Sequence, residues 1–136
     1  MEDDDMGRLY KCASCESVLN PVKEIVLGGR FGNLRTLFLF QPELGDYSFA
    51  TAPDIEVVPG DTWEFFCPLC QHNITTSFSR SLAELNLVDE DGERRVVVFS
   101  KVANQHASFE VTKAGVEGFG EHKEAYFDAF VDEHYW

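Results

Sequence analysis

Four cysteines in two matched pairs constrain this chain more than any other feature. They are Cys12-Ala13-Ser14-Cys15 and Cys67-Pro68-Leu69-Cys70, and the sequence contains no others. Two Cys-x-x-Cys pairs supply the four thiolates of a tetrahedral zinc site. Two residues between the sulfurs let one short turn aim both at a single ion, with backbone N–H groups free to donate to them. Four thiolates complete the tetrahedron and leave no position for a substrate. Cys12, Cys15, Cys67 and Cys70 are therefore expected to hold a structural Zn2+ that braces the fold. The long stretch from Glu16 to Phe66 between the pairs suits two hairpins whose tips meet at the metal.

The remaining chain is long enough to bury a core of its own. Its 136 residues predict one domain. A hydrophobic content of 44% fits a globular chain, and the twelve phenylalanines point to an aromatic core or a lined pocket. The net charge of −13 has the wrong sign for nucleic-acid phosphates or an anionic membrane surface. Only Arg94-Arg95 and Arg30 with Arg35 hint at a local exception. No run reaches transmembrane length. Met1-Glu2-Asp3-Asp4-Asp5 lacks the basic-then-apolar order of a signal peptide. Reduced, paired cysteines without an export signal predict a cytoplasmic protein; two disulfides would be the alternative in an exported one.

Residues 1–8 read as a disordered acidic tail, and residues 9–136 as a single zinc-binding, β-rich domain. Leu9-Tyr10-Lys11 leads as a strand into the first cysteine turn. Val22–Leu27 reads as a strand and Gly28–Asn33 as a turn. Leu34–Phe40, the most apolar run, reads as a strand buried on both faces. Tyr47–Ala52 and Ile55–Val58 are short strands, and Pro59-Gly60-Asp61 is a tight turn. Thr62–Phe66 enters the second cysteine turn, and Asn73–Ser79 returns from it. Leu85–Val88 and Arg94–Ser100 form a hairpin about an Asp-Gly turn. Ala107–Val111 is one more strand. Tyr126, Phe127, Phe130 and Val131 make an apolar stripe on a helix over Glu121–Glu133, with Glu121 and Glu124 in its first turn. The expected class is α+β: a mostly antiparallel β-sheet with two zinc knuckles and one C-terminal helix.

The double Cys-x-x-Cys pattern resembles two groups of proteins. One is the zinc-ribbon and rubredoxin-like class. The other is the β-tent group, which includes Yippee-like proteins, the thalidomide-binding domain of cereblon and the zinc-bearing methionine sulfoxide reductases. Cys12, Cys15, Cys67 and Cys70 match the metal positions these groups share. Pro59-Gly60-Asp61-Thr62-Trp63 is similar to the cereblon-type pattern. The likeness covers roughly residues 9–79. A fifth cysteine is missing, so the reductase nucleophile is absent. Only Trp63 and Trp136 are present, so a cage of three tryptophans cannot form. Cys67-Pro68-Leu69-Cys70 also resembles a rubredoxin knuckle, which implies iron and one-electron transfer. Small residues follow each rubredoxin pair, whereas Glu16 and Gln71 stand here, and zinc is the first expectation over iron.

Other chemistry is weaker. His72, two residues past Cys70, could serve the metal or simply be a surface residue. His106, His122 and His134 carry no motif, and no cysteine is left over for a nucleophile. Trp63 beside Phe65 and Phe66 could line a pocket, although core packing explains large aromatics as well. The expectation is a non-catalytic module binding a protein or a small molecule, with no nucleic-acid or membrane partner. The alternatives are a rubredoxin-like iron carrier and an enzyme with its active site in the C-terminal half.

Overall fold

The computed structural model describes residues 8–89 and 91–130. Its strands in chain order are β1 (Leu9–Lys11), β2 (Ile25–Phe31), β3 (Leu34–Phe40), β4 (Phe49–Ala50), β5 (Glu64–Phe66), β6 (Leu82–Val88), β7 (Arg94–Ser100), β8 (Ser108–Thr112) and β9 (Gly115–Phe119). They form two sheets, a five-stranded one in the order β1-β6-β7-β8-β9 and a four-stranded one in the order β4-β3-β2-β5. All pairings are antiparallel.

Alternation along each strand decides what the two faces cover. In the five-stranded sheet, Leu85, Leu87 and Val97 point toward the other sheet, where they join Leu27, Phe38, Trp63 and Phe65 in one core. Leu82, Val96 and Val98 point the opposite way, into a second core with Phe109, Val111 and Phe130. The strand buried on both faces is therefore β7, through its Val96-Val97-Val98 run, and not β3 as the apolar content of Leu34–Phe40 suggests. In β3, Phe38 and Phe40 face the inter-sheet core, but Leu37 and Leu39 are 55% and 39% exposed. Its outer face is apolar yet uncovered among the described residues.

The Gly28-Gly29 pair, expected in a turn, lies within β2. The turn falls at Gly32-Asn33, because Phe31 pairs directly with Leu34. Each glycine makes room for a ring: Phe66 lies over Gly28 and Phe38 over Gly29, closer than any Cβ would permit. These positions need glycine for close approach, and a strand can accommodate it there.

The hairpin of β6 and β7 matches the Asp-Gly signal, with Val88 opposite Arg94 and Gly92 at φ 83°. Asn73–Ser79 forms no strand and makes only bridges, from Asn73 to Phe66 and from Thr75 to Ala83. Ile55–Val58 is likewise not a strand. Strand β9 has no counterpart in the sequence reading; Gly115 and Gly118 weaken its apolar pattern.

The expected α+β class is corrected. Among the described residues there is no α-helix, and Lys123–Phe130 is a 3-10 helix. The cause lies in what it covers. Three residues per turn bring Phe127 and Phe130 onto one ridge. Both rings then reach Phe109, with centroids at 5.2 and 4.9 Å, and Phe130 also meets Phe78 at 5.3 Å. Val131, the last residue of the expected stripe, lies outside the described residues, as do residues 1–7 of the expected tail. Arg8, the tail's last residue, is held by an ion pair to Asp89 at 3.3 Å and by its carbonyl, which accepts from Asn20.

Candidate metal centre

Each sheet delivers one cysteine pair. Cys12 follows β1 of the five-stranded sheet, and Cys67 follows β5 of the four-stranded sheet. The two turns are built alike. The Glu16 N–H donates to the Cys12 carbonyl and the Gln71 N–H to the Cys67 carbonyl, both at 2.9 Å. The Cys12 and Cys67 N–H groups donate to the carbonyls of Ser17 and His72. Glu16 and Gln71 both take left-handed conformations, at φ 64° and 67°. Neither is glycine, so each turn carries strain of about 1–2 kcal/mol. The backbone thus adopts at both turns the conformation that small residues usually supply.

The turns bring all four sulfurs within 4.8 Å of one another. Cys12 Sγ lies 3.7 Å from Cys70 Sγ, and Cys15 Sγ 3.8 Å from Cys67 Sγ. A tetrahedral Zn–S distance of about 2.3 Å requires sulfur–sulfur edges of about 3.8 Å. The donor set and its spacing therefore fit a metal ion held by four thiolates, and all four cysteines are free thiols. Cys12 and Cys67 are buried, whereas Cys15 and Cys70 are exposed. The Ser14 N–H donates to Cys12 Sγ at 3.3 Å, and the Leu69 and Cys70 N–H groups donate to Cys67 Sγ at 3.4 and 3.5 Å. Such donors stabilise thiolate charge at the two buried positions.

Without a metal, the four sulfurs are unequal. Burial pushes Cys12 up to about 12 and raises Cys67 above its ordinary value. The Ser17 hydroxyl, 3.2 Å from Cys15 Sγ, together with the Ser17 backbone brings Cys15 down to about 6. His72 is exposed and lies outside the sulfur cluster. His134 lies outside the described residues. His106 stacks on Tyr47 with centroids at 4.7 Å, and its backbone N–H donates to His122 Nδ1. Both histidines approach Glu121, at 3.6 and 3.7 Å.

The expected basic exceptions resolve differently. Arg95 is engaged by Asp89, Glu93 and Glu110. Arg30 and Arg35 face each other across β2 and β3, and Arg35 lies over the Phe66 ring at 5.1 Å.

A second feature was hinted at in the sequence only by Trp63 and Phe65, the pocket candidates beside the second cysteine turn. A cavity of ≈ 260 Å³ opens between the sheets. Its walls include Leu27, Phe38, Trp63, Phe65, Leu85 and Val97, and residues 41–47 cross it as a strap. Tyrosine hydroxyls tie the strap down at both ends. Tyr10 donates to the Pro42 carbonyl at 2.5 Å, and Tyr47 bonds Ser108 Oγ and the Phe119 carbonyl at 2.8 and 3.0 Å. Gly120, at φ 98°, lets the chain pass close beside Tyr47 and His106. Trp63 is both core and cavity wall, while Phe66 turns to the outer face. The Trp63 Nε1 is buried with no hydrogen-bond partner, which costs about 1–3 kcal/mol.

No protein-family model matches this chain, and no curated protein or solved structure matches it either. No helix among the described residues is long and apolar enough to cross a membrane.

Proposed function

We propose that the protein is a non-catalytic binding module whose two sheets are clamped together by one structural zinc ion on Cys12, Cys15, Cys67 and Cys70. The observation that carries this reading is the convergence of four sulfurs from both sheets within 4.8 Å. Thiolate ligands favour zinc at such a site, and a closed set of four thiolates leaves no open position for substrate. The partner is a protein or a small molecule. Nucleic acid and anionic membranes are disfavoured by the net charge of −13, and Arg95 is already spent on three carboxylates. A metal-bound thiolate site suits the reducing cytoplasm.

Elemental analysis of protein purified under reducing conditions tests the reading. One zinc per chain is expected, with loss of that zinc in Cys12→Ser and Cys67→Ser. A red protein containing iron would replace the module by an electron carrier. Protein free of metal would overturn the clamp.

A further inference from the structure

The geometry points to the inter-sheet cavity as a binding site for a small, uncharged, ring-containing molecule. This assignment deepens the binding-module reading and rests on it. Size sets the first limit. An apolar cavity of about 150 Å³ accepts benzene, so ≈ 260 Å³ leaves room for a ring with a short substituent. The volume falls just below the range of about 300–1,000 Å³ usual for ligand clefts, which excludes nucleotide-sized occupants.

Polarity sets the second limit. The partly exposed apolar lining, Phe40, Leu44, Phe49, Val57 and Phe99, favours an apolar ring. Among the lining residues the one lysine is Lys101, and its Nζ is held by Glu64 at 3.0 Å and Thr75 at 2.8 Å. No arginine lines the cavity. The strap adds Glu43 and Asp46, both exposed. An anionic ligand would meet carboxylates and no available cation. The Trp63 indole N–H adds no further limit, because its nitrogen is closed off from the cavity.

Ethylbenzene and benzoate serve as probes, observed by NMR on zinc-loaded protein. Ethylbenzene is expected to shift saturably the methyl resonances of Leu44 and Val57, which line the cavity and are partly exposed, and benzoate should leave them in place. Methyl groups unmoved by ethylbenzene would overturn the site. Saturable benzoate binding at the same methyl groups would overturn the uncharged class. Zinc content measured on the same sample keeps this outcome separate from the metal reading.

Discussion

Lys101 is a charge taken out of water: its side chain is 1% exposed. Burial on that scale costs several kcal/mol unless the ion is paired and hydrogen-bonded. Glu64 Oε1 and Thr75 Oγ1 provide both. Burial alone would raise the Glu64 carboxyl. Donors from Asn73, Lys101 and Thr75 outweigh it and hold the carboxyl below its ordinary value of 4.5. A lowered carboxyl contributes stability that is present above the unfolded value and is lost as pH falls through the folded one. Glu64→Gln should therefore cost about 1–3 kcal/mol in urea unfolding at pH 7. This is less than a fully buried pair would lose, because Glu64 is 36% exposed and screened by water. The difference should vanish in acid, once the wild-type carboxyl is protonated. The cysteines carry a second pH dependence. In the metal-free fold the lowered Cys15 favours folding above 9.0 and loses that contribution as pH falls toward about 6. The raised Cys12 and Cys67 act oppositely, favouring folding below 9.0 and less so at higher pH, with Cys12 losing its contribution as pH rises toward about 12. Zinc must displace protons from both raised thiols. Its apparent affinity should fall at least about 100-fold for each unit between pH 8 and 6, and more steeply below about 6 as Cys15 also protonates. A chelator competition series across that range checks the slope, and a flat profile would contradict Cys12 and Cys67 as ligands.

The 3-10 helix Lys123–Phe130 is an element defined by its contacts. Its ridge of Phe127 and Phe130 closes the second core over Phe109. Phe130→Ala should cost about 3 kcal/mol, near the lower end for a buried phenylalanine because Phe130 sits at the core's margin. Phe127, only partly buried, should cost less on truncation. Unchanged melting for Phe130→Ala would place that ring outside the core. The apolar spacing of Tyr126, Phe127 and Phe130 was legible in the sequence, but the helix type was not. The same residues serve a 3.6-residue or a three-residue turn, and the partner ring, Phe109, decides between them. The hairpin of β6 and β7 was legible because Asp-Gly acts locally. The burial of β3 was not, since Leu37 and Leu39 look like core residues until the topology leaves their face uncovered. The four cysteines could be read because a chelating turn is a short-range pattern. Of the cavity only Trp63 and Phe65 could be read, because its other walls and its strap come from segments far apart in the chain.

At the scale of the molecule, the sulfur cluster joins two sheets that differ in independent support. The five-stranded sheet has a core on each face, whereas the four-stranded sheet has the inter-sheet core and the cysteine cluster. Unfolding must separate cysteines far apart in sequence, so metal affinity contributes to fold stability. Removal of the metal by a strong chelator should loosen β1, β5 and the cysteine turns first, over residues 9–20 and 62–79. Strands β6, β7 and β8 should keep their protection. Hydrogen exchange with and without chelator measures this, and equal loss throughout would make the metal the nucleus of the whole fold. The order of strands has a further consequence, for self-association. Both borders of the four-stranded sheet are very short, with two residues in β4 and three in β5. The five-stranded sheet ends in the three-residue β1 and in β9, which carries Gly115, Glu117 and Gly118. Strands β6 and β7 lie inside their sheet, but β3 meets β4 only at Leu39 and Phe40, so among the described residues Leu34–Phe38 has no strand partner on its outer side. A neighbouring molecule therefore finds one stretch of backbone to extend, the open side of Leu34–Phe38, and strand addition to this phenylalanine-rich chain should begin there.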